Sequence, residues 1–96
     1  MDKTIYLSNL FDYYGELLTD KQQDYFKSYY FNNLTLSEIA ENENVSRNAV
    51  HKQIKDTENK LIHYENILKQ YQNSQKIKEI IKNINPEIKK QIEELL

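Results

Sequence analysis

Apolar residues recur at helical spacing through most of the chain, and residues 35–55 show this pattern most clearly. Two short apolar stripes, each typical of a helix with 3.6 residues per turn, lie on either side of Asn44. Their members are Leu36, Ile39 and Ala40 before the asparagine, and Ala49, Val50 and Ile54 after it. Because asparagine tolerates the left-handed backbone of a tight turn, the pattern predicts two helices joined at Asn44, with Val45 filling the corner.

Capping residues indicate where these two helices begin. Thr35 and Glu38 have the spacing of a capping box, and Ser46 is an N-cap candidate for the second helix. Two helices joined in this way form a helix-turn-helix, whose second helix enters the DNA groove. The predicted nucleic-acid-binding residues are Ser46, at a phosphate, and the outward-facing Arg47, Asn48, His51, Lys52 and Lys55.

Two further helices are predicted before this motif. Residues 3–14 carry apolar positions close to a 3.6-residue repeat, and Gly15 is expected to end that helix. Thr19 and Gln22 form a second capping box, which opens a helix rich in aromatic side chains. These rings, Tyr25, Phe26, Tyr29 and Tyr30, are expected to form the bulk of the core.

After Ser46 no helix-breaking residue occurs before about Asn73, so the second helix of the motif is predicted to continue as a long arm. Its apolar positions alternate at spacings of four and three residues, as in a heptad repeat. This seam consists of Val50, Ile54, Thr57, Leu61, Tyr64, Leu68 and Tyr71. It must pack against the tail of the same chain or against a second copy. The candidate homodimer contacts are Thr57, Leu61, Tyr64, Leu68 and Tyr71.

The C-terminal tail, residues 73–96, is amphipathic. One apolar face is formed by Ile77, Ile80, Ile81 and Ile84, and a second by Ile88, Ile92, Leu95 and Leu96. Asn85 and Pro86 predict the start of the last helix between them. We expect the tail to fold back on the long helix or to pair across a dimer. Binding to a membrane surface or to an acidic partner is the alternative, which the absence of Trp and Phe and the interspersed glutamates disfavour.

Composition supports a single all-α domain. One glycine and one proline in 96 residues favour long helices over an all-β chain. The predicted fold is a helix-turn-helix bundle with an extended recognition helix in residues 1–72 and a helical tail of the same domain in residues 73–96. The absence of cysteine, of a signal peptide and of any long apolar run favours a cytoplasmic protein without membrane insertion.

Residues that carry catalytic or metal chemistry are scarce. The two histidines, His51 and His63, are twelve residues apart and have no second ligand pair at helical spacing. A single glycine rules out a glycine-rich phosphate loop, and no nucleophile has a nearby base. We therefore predict that the protein is not an enzyme and uses no cofactor.

The order and spacing of several segments resembles the YlxM family, small bacterial proteins whose helix-turn-helix is similar to region 4 of sigma factors. The matching segments, which span about residues 3–68, are Leu18-Thr19-Asp20-Lys21-Gln22, Tyr25-Phe26, Tyr29-Tyr30, Leu34-Thr35-Leu36-Ser37-Glu38-Ile39-Ala40-Glu41, Val45-Ser46-Arg47-Asn48-Ala49-Val50, Ile54-Lys55, Leu61 and Tyr64-Glu65. The resemblance implies a dimeric DNA-binding regulator connected with the signal recognition particle pathway. Two positions depart from related motifs: Glu43 replaces an apolar residue, and Asn44 replaces the common turn glycine.

Charge leaves the function open. The net charge is −2, and residues 35–62 hold four cationic groups against five acidic ones, whereas residues 69–96 hold six lysines against four glutamates. Sequence-specific DNA binding would therefore need a second copy, with half-sites about 34–36 Å apart, or the lysines of the tail. The alternatives are an adaptor for proteins or ribonucleoproteins of the signal recognition particle machinery, and a dimeric structural module that contacts no nucleic acid.

Overall fold

Helices are the only regular structure in residues 2–96, the part of the chain that the computed structural model describes. Their bounds are α1 Lys3–Tyr14, α2 Asp20–Phe26, α3 Leu36–Glu43, α4 Arg47–Leu68, α5 Gln70–Ile80 and α6 Pro86–Glu93. A 3₁₀ turn, Gly15–Leu17, follows α1, and a π-helical turn, Lys27–Phe31, extends α2. The all-α class and the helix-turn-helix are confirmed, and no helix in this range has the length and apolar character needed to cross a bilayer.

The central element is α4, because its inner side contributes to both apolar clusters of the core. Leu61 is fully buried in the larger cluster, which α1, α2 and α5 complete with Leu7, Leu10, Tyr14, Leu18, Phe26 and Tyr71. Val50 and Ile54 belong to the smaller one, with Tyr25, Ile39 and Ala40. Burying one such aliphatic side chain stabilises the fold by about 1.5–3 kcal/mol. Helices α1, α2, α3 and α5 are therefore positioned by α4.

The predicted helix starts are confirmed. The side chains of Thr19 and Thr35 each accept the backbone N–H three residues later, and Gln22 and Glu38 reciprocate. Ser46 caps α4, and Asn85 caps α6 with Pro86 in the first turn.

The prediction that α4 continues to about Asn73 is wrong, since the helix ends at Leu68 and Lys69 adopts a left-handed conformation with φ 56° and ψ 26°. The break depends on Glu65, whose side chain is buried. Its carboxylate accepts the backbone N–H groups of Tyr71, at 3.2 Å, and of Gln72, at 2.9 Å. These donors lie in the first turn of α5, where the helix itself provides no acceptor. Glu65 therefore caps the helix that follows its own.

The same carboxylate also joins α4 to α1. The hydroxyl of Tyr14 donates to Glu65 at 2.6 Å and accepts the N–H of Gln70 at 3.0 Å. Burial, followed by the hydrogen bond to Glu65, raises the pKa of Tyr14, so the hydroxyl stays protonated and can donate.

Most of the predicted dimer seam is covered by the chain itself. Thr57 and Leu61 have no exposed surface, Tyr71 is buried on α5, and Tyr64 is half-buried. Leu68 alone among the five candidate contacts is exposed, by 46%. The cover comes mainly from α1, whose Leu7, Leu10 and Tyr14 pack against this part of α4. The sequence predicted that the tail or a second copy would lie there. A homodimer through the four covered residues would require α1 or α5 to move away.

Two smaller expectations also need correction. Val45 is 37% exposed, so it does not fill the corner of the motif. The tail packs on α1 and α4 through α5, and Ile81 just after α5 is buried as well. In contrast, α6 has no buried residue and no extensive contact with another helix.

We predict that Glu65→Ala lowers the free energy of unfolding by about 2–4 kcal/mol, because two buried N–H groups lose their acceptor. Denaturant unfolding followed by circular dichroism measures this difference. Glu41→Ala, the same change at an exposed glutamate of α3, is the control and should cost less than about 0.5 kcal/mol. Equal losses in the two variants would contradict the capping role of Glu65.

Candidate nucleic-acid interface

The turn between α3 and α4 has the geometry that its sequence predicts. Asn44 adopts a left-handed conformation, with φ 56° and ψ 45°. The N–H groups of Asn44 and Val45 donate to the carbonyls of Glu41, at 3.3 Å, and of Ala40, at 3.0 Å. They satisfy carbonyls at the end of α3 that would otherwise lack a donor. Glu43, which departs from related motifs, is exposed and disturbs no packing.

All of the predicted nucleic-acid-binding residues lie on the exposed surface of the first turns of α4. Because Val50 and Ile54 are held in the core, the side of the helix opposite them faces outward. The exposed residues are Ser46, Arg47, Asn48, His51, Lys52 and Lys55. We call this set the α4 face.

Ala49 was predicted to point inward, but it is exposed beside the α4 face. It follows Asn48 directly and lies about 100° around the helix from the buried Val50, which is enough to leave the core. This angular offset could have predicted the exposure of Ala49 from the sequence, but the apolar character of alanine suggested a buried position. An exposed alanine can contact the methyl group of thymine in the major groove.

The N-terminus of α4 keeps free donors. The hydroxyl oxygen of Ser46 accepts the N–H of Ala49 at 3.0 Å. Within residues 2–96 the N–H groups of Arg47 and Asn48 have no hydrogen-bond partner. Together with the positive end of the helix dipole, they form a surface that favours an anionic oxygen.

Carboxylates of the same helix neutralise part of the positive charge. Lys52 forms an ion pair with Asp56 at 2.9 Å, and Lys55 forms one with Glu58 at 3.4 Å. Arg47 has no ion-pair partner within the described part of the chain. An exposed pair such as Lys52–Asp56 is worth only about 0.2–1 kcal/mol, so a phosphate can compete for the lysine.

Glu58 also brings in a cation that the sequence did not reveal. Its buried carboxylate lies 3.5 Å from the amino group of Lys3 on α1, and it accepts a hydrogen bond from the hydroxyl of Tyr30. Burial, and next the hydrogen bond to Glu58, raise the pKa of Tyr30, which therefore remains a donor. Lys3 and Lys55 thus share the single negative charge of Glu58. These three residues leave a net charge of +1 at this end of the α4 face. No sequence pattern relates Lys3 to α4.

Metal chemistry finds no support in the described part of the chain, where no group of three or more His, Asp and Glu side chains is arranged around a common point. His51 lies on the α4 face, and His63 is exposed farther along the same helix.

Comparison with known proteins identifies relatives from a family that is also described as helix-turn-helix. Residues 1–96 match the profile of the family UPF0122, described as "Putative helix-turn-helix protein, YlxM / p13 like". A UPF0122 protein of Malacoplasma penetrans is 53% identical over 78 residues, which cover 81% of this chain and 73% of that protein. One of Halalkalibacterium halodurans is 42% identical over 95% of this chain and 84% of its own length. One of Bacillus cereus (strain AH187) is 41% identical over 97% and 94%, respectively.

We predict that the cap of α3 makes stability depend on pH. The carboxylate of Glu38 accepts the N–H of Thr35 at 3.0 Å, which holds the pKa of Glu38 below its ordinary value of 4.5. A lowered pKa contributes stability that is present above the unfolded value and is lost as the pH falls through the folded one. The advantage of the wild type over Glu38→Gln should therefore shrink below pH 4.5.

Urea unfolding at several pH values measures this advantage. Glu41→Gln serves as the matched control, because Glu41 lies in the same helix and caps no backbone N–H. A difference between wild type and Glu38→Gln that stays constant from about pH 6 to about pH 3 would contradict the prediction.

Proposed function

The chain belongs to the YlxM/p13-like family of helix-turn-helix proteins, and from this premise we propose that it is a DNA-binding regulatory protein. The observation that carries the proposal is the α4 face, exposed in full at the open N-terminus of a helix whose inner side is fixed in the core. As a non-enzymatic regulator it would act in the cytoplasm. The connection with the signal recognition particle pathway, which the family resemblance implies, is part of the same proposal.

In the proposed complex, the first turns of α4 enter the major groove. Ser46 and the free N–H groups of Arg47 and Asn48 lie at a phosphate, since these groups and the helix dipole favour an anion. Arg47, Asn48, His51, Lys52 and Ala49 then face the base edges. Arginine pairs best with guanine and asparagine with adenine, and each such contact is worth about 1–3 kcal/mol of discrimination.

The charge of the α4 face supports binding by two copies. Residues 46–58 carry three cations against Asp56 and Glu58, which leaves a net charge of +1. The lysines of α5 cannot assist a single α4 face easily, because the 22 residues of α4 span about 33 Å and separate the two groups. A homodimer that presents two α4 faces doubles the contacts on one duplex.

A second candidate function is a protein or ribonucleoprotein adaptor of the signal recognition particle machinery. The observation that favours it is the apolar stripe of α6, in which Ile88, Leu95 and Leu96 are exposed and only Ile92 is half-buried. In that case the helix-turn-helix is a scaffold, and the α4 face has no effect on binding.

We predict that Arg47→Ala combined with Lys52→Ala weakens binding to a duplex selected by the wild type from a randomised pool. Two lost contacts should weaken binding by about tenfold or more, and the salt dependence should become shallower. Fluorescence anisotropy with a labelled duplex measures both quantities. Lys21→Ala combined with Lys27→Ala removes the same charge from exposed positions on α2 and the turn after it, and should not weaken binding. Equal binding by the α4 variant, or no enrichment by the wild type, would refute DNA binding through this face.

Asp56→Asn should have the opposite effect. The change releases Lys52 from its 2.9 Å ion pair and removes a negative charge near the phosphates, so the affinity for the duplex should rise. The same anisotropy assay tests this sign. Asp24→Asn removes an exposed carboxylate from α2, away from the α4 face, and as the control it should not raise the affinity. An affinity that falls or stays unchanged in Asp56→Asn would argue against a phosphate at Lys52.

A further inference from the structure

The last helix lacks the burial that a short helix needs. Helix α6 spans eight residues, and none of them is buried. Its apolar stripe remains open to solvent, with Ile88 exposed by 52% and Leu95, just after the helix, by 85%. Isolated helices of this length are not stable in water, so most of their stability comes from covering an apolar face. The stripe therefore calls for a cover from outside its own fold.

The helix before it carries an excess of positive charge. Residues 69–82 contain Lys69, Lys76, Lys78 and Lys82 against the single acid Glu79, all exposed. Only Lys82 forms an ion pair within the described residues, with Glu79 at 3.5 Å. Ile80 lies among these lysines and is 75% exposed. We call residues 69–96 the basic arm: an elongated surface of lysines and uncovered aliphatic side chains.

A surface of opposite character lies at the other end of the sequence. Asp12, Glu16, Asp20 and Asp24 are exposed on α1, α2 and the turn between them, and in residues 2–96 none of the four has an ion-pair partner. Lys21 is the one cation between residues 12 and 24, so this segment has a net charge of −3. With Leu17, which is 53% exposed, these residues form what we call the acidic face.

The acidic face also borders an open cavity of mixed polar and apolar lining. It measures about 310 Å³ and is lined by Phe11, Asp12, Gly15, Glu16, Gln23 and Lys27. The ring of Phe11 lies directly beside the position that a Cβ on Gly15 would take. The Phe11 ring offers an apolar contact for an aliphatic side chain, and Asp12 and Glu16 lie beside it, where they can pair with lysines such as those on either side of Ile80.

We propose that the basic arm of one copy docks on the acidic face of a second copy, and that the second arm docks reciprocally to close a two-fold dimer. Aliphatic side chains of the arm occupy the cavity and cover Leu17, and the lysines of α5 lie opposite Asp12 and Glu16. A closed pair satisfies both surfaces at once, as self-complementary interfaces do. The dimer leaves the covered seam of α4 intact.

Other occupants of the arm fit less well. A nucleic-acid backbone would leave the apolar stripe uncovered. A membrane surface fits less well because the arm offers no Trp or Phe to anchor it. The proposal deepens the two-copy requirement of the proposed function, and its test uses no DNA, so the two can fail separately.

Sedimentation equilibrium of the full chain tests the proposal. The wild type should sediment with twice the mass of one chain, and the dimer should weaken as salt is added. Ile88→Asp combined with Leu95→Asp should give a monomer with an unchanged core, because neither side chain is buried. Asn83→Asp combined with Gln91→Asp adds the same charge at exposed polar positions of the arm and should weaken the dimer less, because it leaves the apolar stripe unchanged. A wild type that stays monomeric at high concentration, or an arm variant that stays dimeric, overturns the proposal.

Charge reversal then tests the acidic face. Asp12→Lys combined with Glu16→Lys should weaken the dimer by about tenfold or more, since like charges then face each other. Lys78→Glu combined with Lys82→Glu should restore it when both pairs of changes are present in one chain. Circular dichroism verifies that each variant is folded. Loss of the dimer in the arm variant without any effect of the acidic-face variant would indicate arm-to-arm pairing and overturn this interface. Binding of a monomeric wild type to phosphatidylglycerol vesicles would do the same in favour of a membrane.

Discussion

Two buried carboxylates on α4 determine how the rest of the chain is arranged. A buried charge is tolerated only where donors satisfy it, so Glu58 and Glu65 fix the groups around them. Glu65 accepts hydrogen bonds from a tyrosine hydroxyl of α1 and from two backbone N–H groups of α5, and thereby stabilises the break at Lys69. Glu58 accepts a hydrogen bond from the Tyr30 hydroxyl and forms ion pairs with two lysines. The orientation of α1, α5 and the aromatic turn after α2 follows from these two side chains as much as from apolar contact.

This arrangement explains why the α4 face is open. α4 is long enough to serve two purposes along its length, with Val50 and Ile54 packing on α3 and Leu61 on α1 and α2. Since α1 covers the C-terminal half of its inner side and α3 covers the N-terminal half, only the outer side of the first turns remains exposed. A helix fixed along one side and free at its N-terminus presents its outward residues at a defined angle, which recognition of a base sequence needs.

Local patterns sufficed to predict what depends on neighbours in the sequence. The capping boxes at Thr35 and Thr19, the left-handed Asn44 and the outward residues of α4 all follow from spacings of a few residues. The break at Lys69 could not be predicted, because its cause is a hydrogen bond from Tyr14, which lies far away in sequence, to a glutamate that looks like a surface residue. The apolar seam of α4 could not be assigned for a similar reason. Its heptad spacing indicated an apolar partner, but spacing alone does not show whether α1 or a second copy is that partner. Lys3 joined the site for the same reason, through tertiary contact with Glu58.

The charges of α4 bear on how the proposed DNA binding would divide between affinity for phosphate and discrimination between bases. A recognition helix with many free lysines binds any duplex through phosphates and gains little discrimination. Here Asp56 and Glu58 each hold a lysine, so the affinity for an arbitrary phosphate backbone is reduced while Arg47, Asn48 and Ala49 stay free to read bases. In the proposed complex, weak attraction to phosphate in one copy would make a second copy necessary, because two α4 faces together would recover the lost affinity. An interface built from the arm and the acidic face is distant from α4's N-terminus in sequence, and it would couple assembly to DNA binding without occupying any residue of the α4 face.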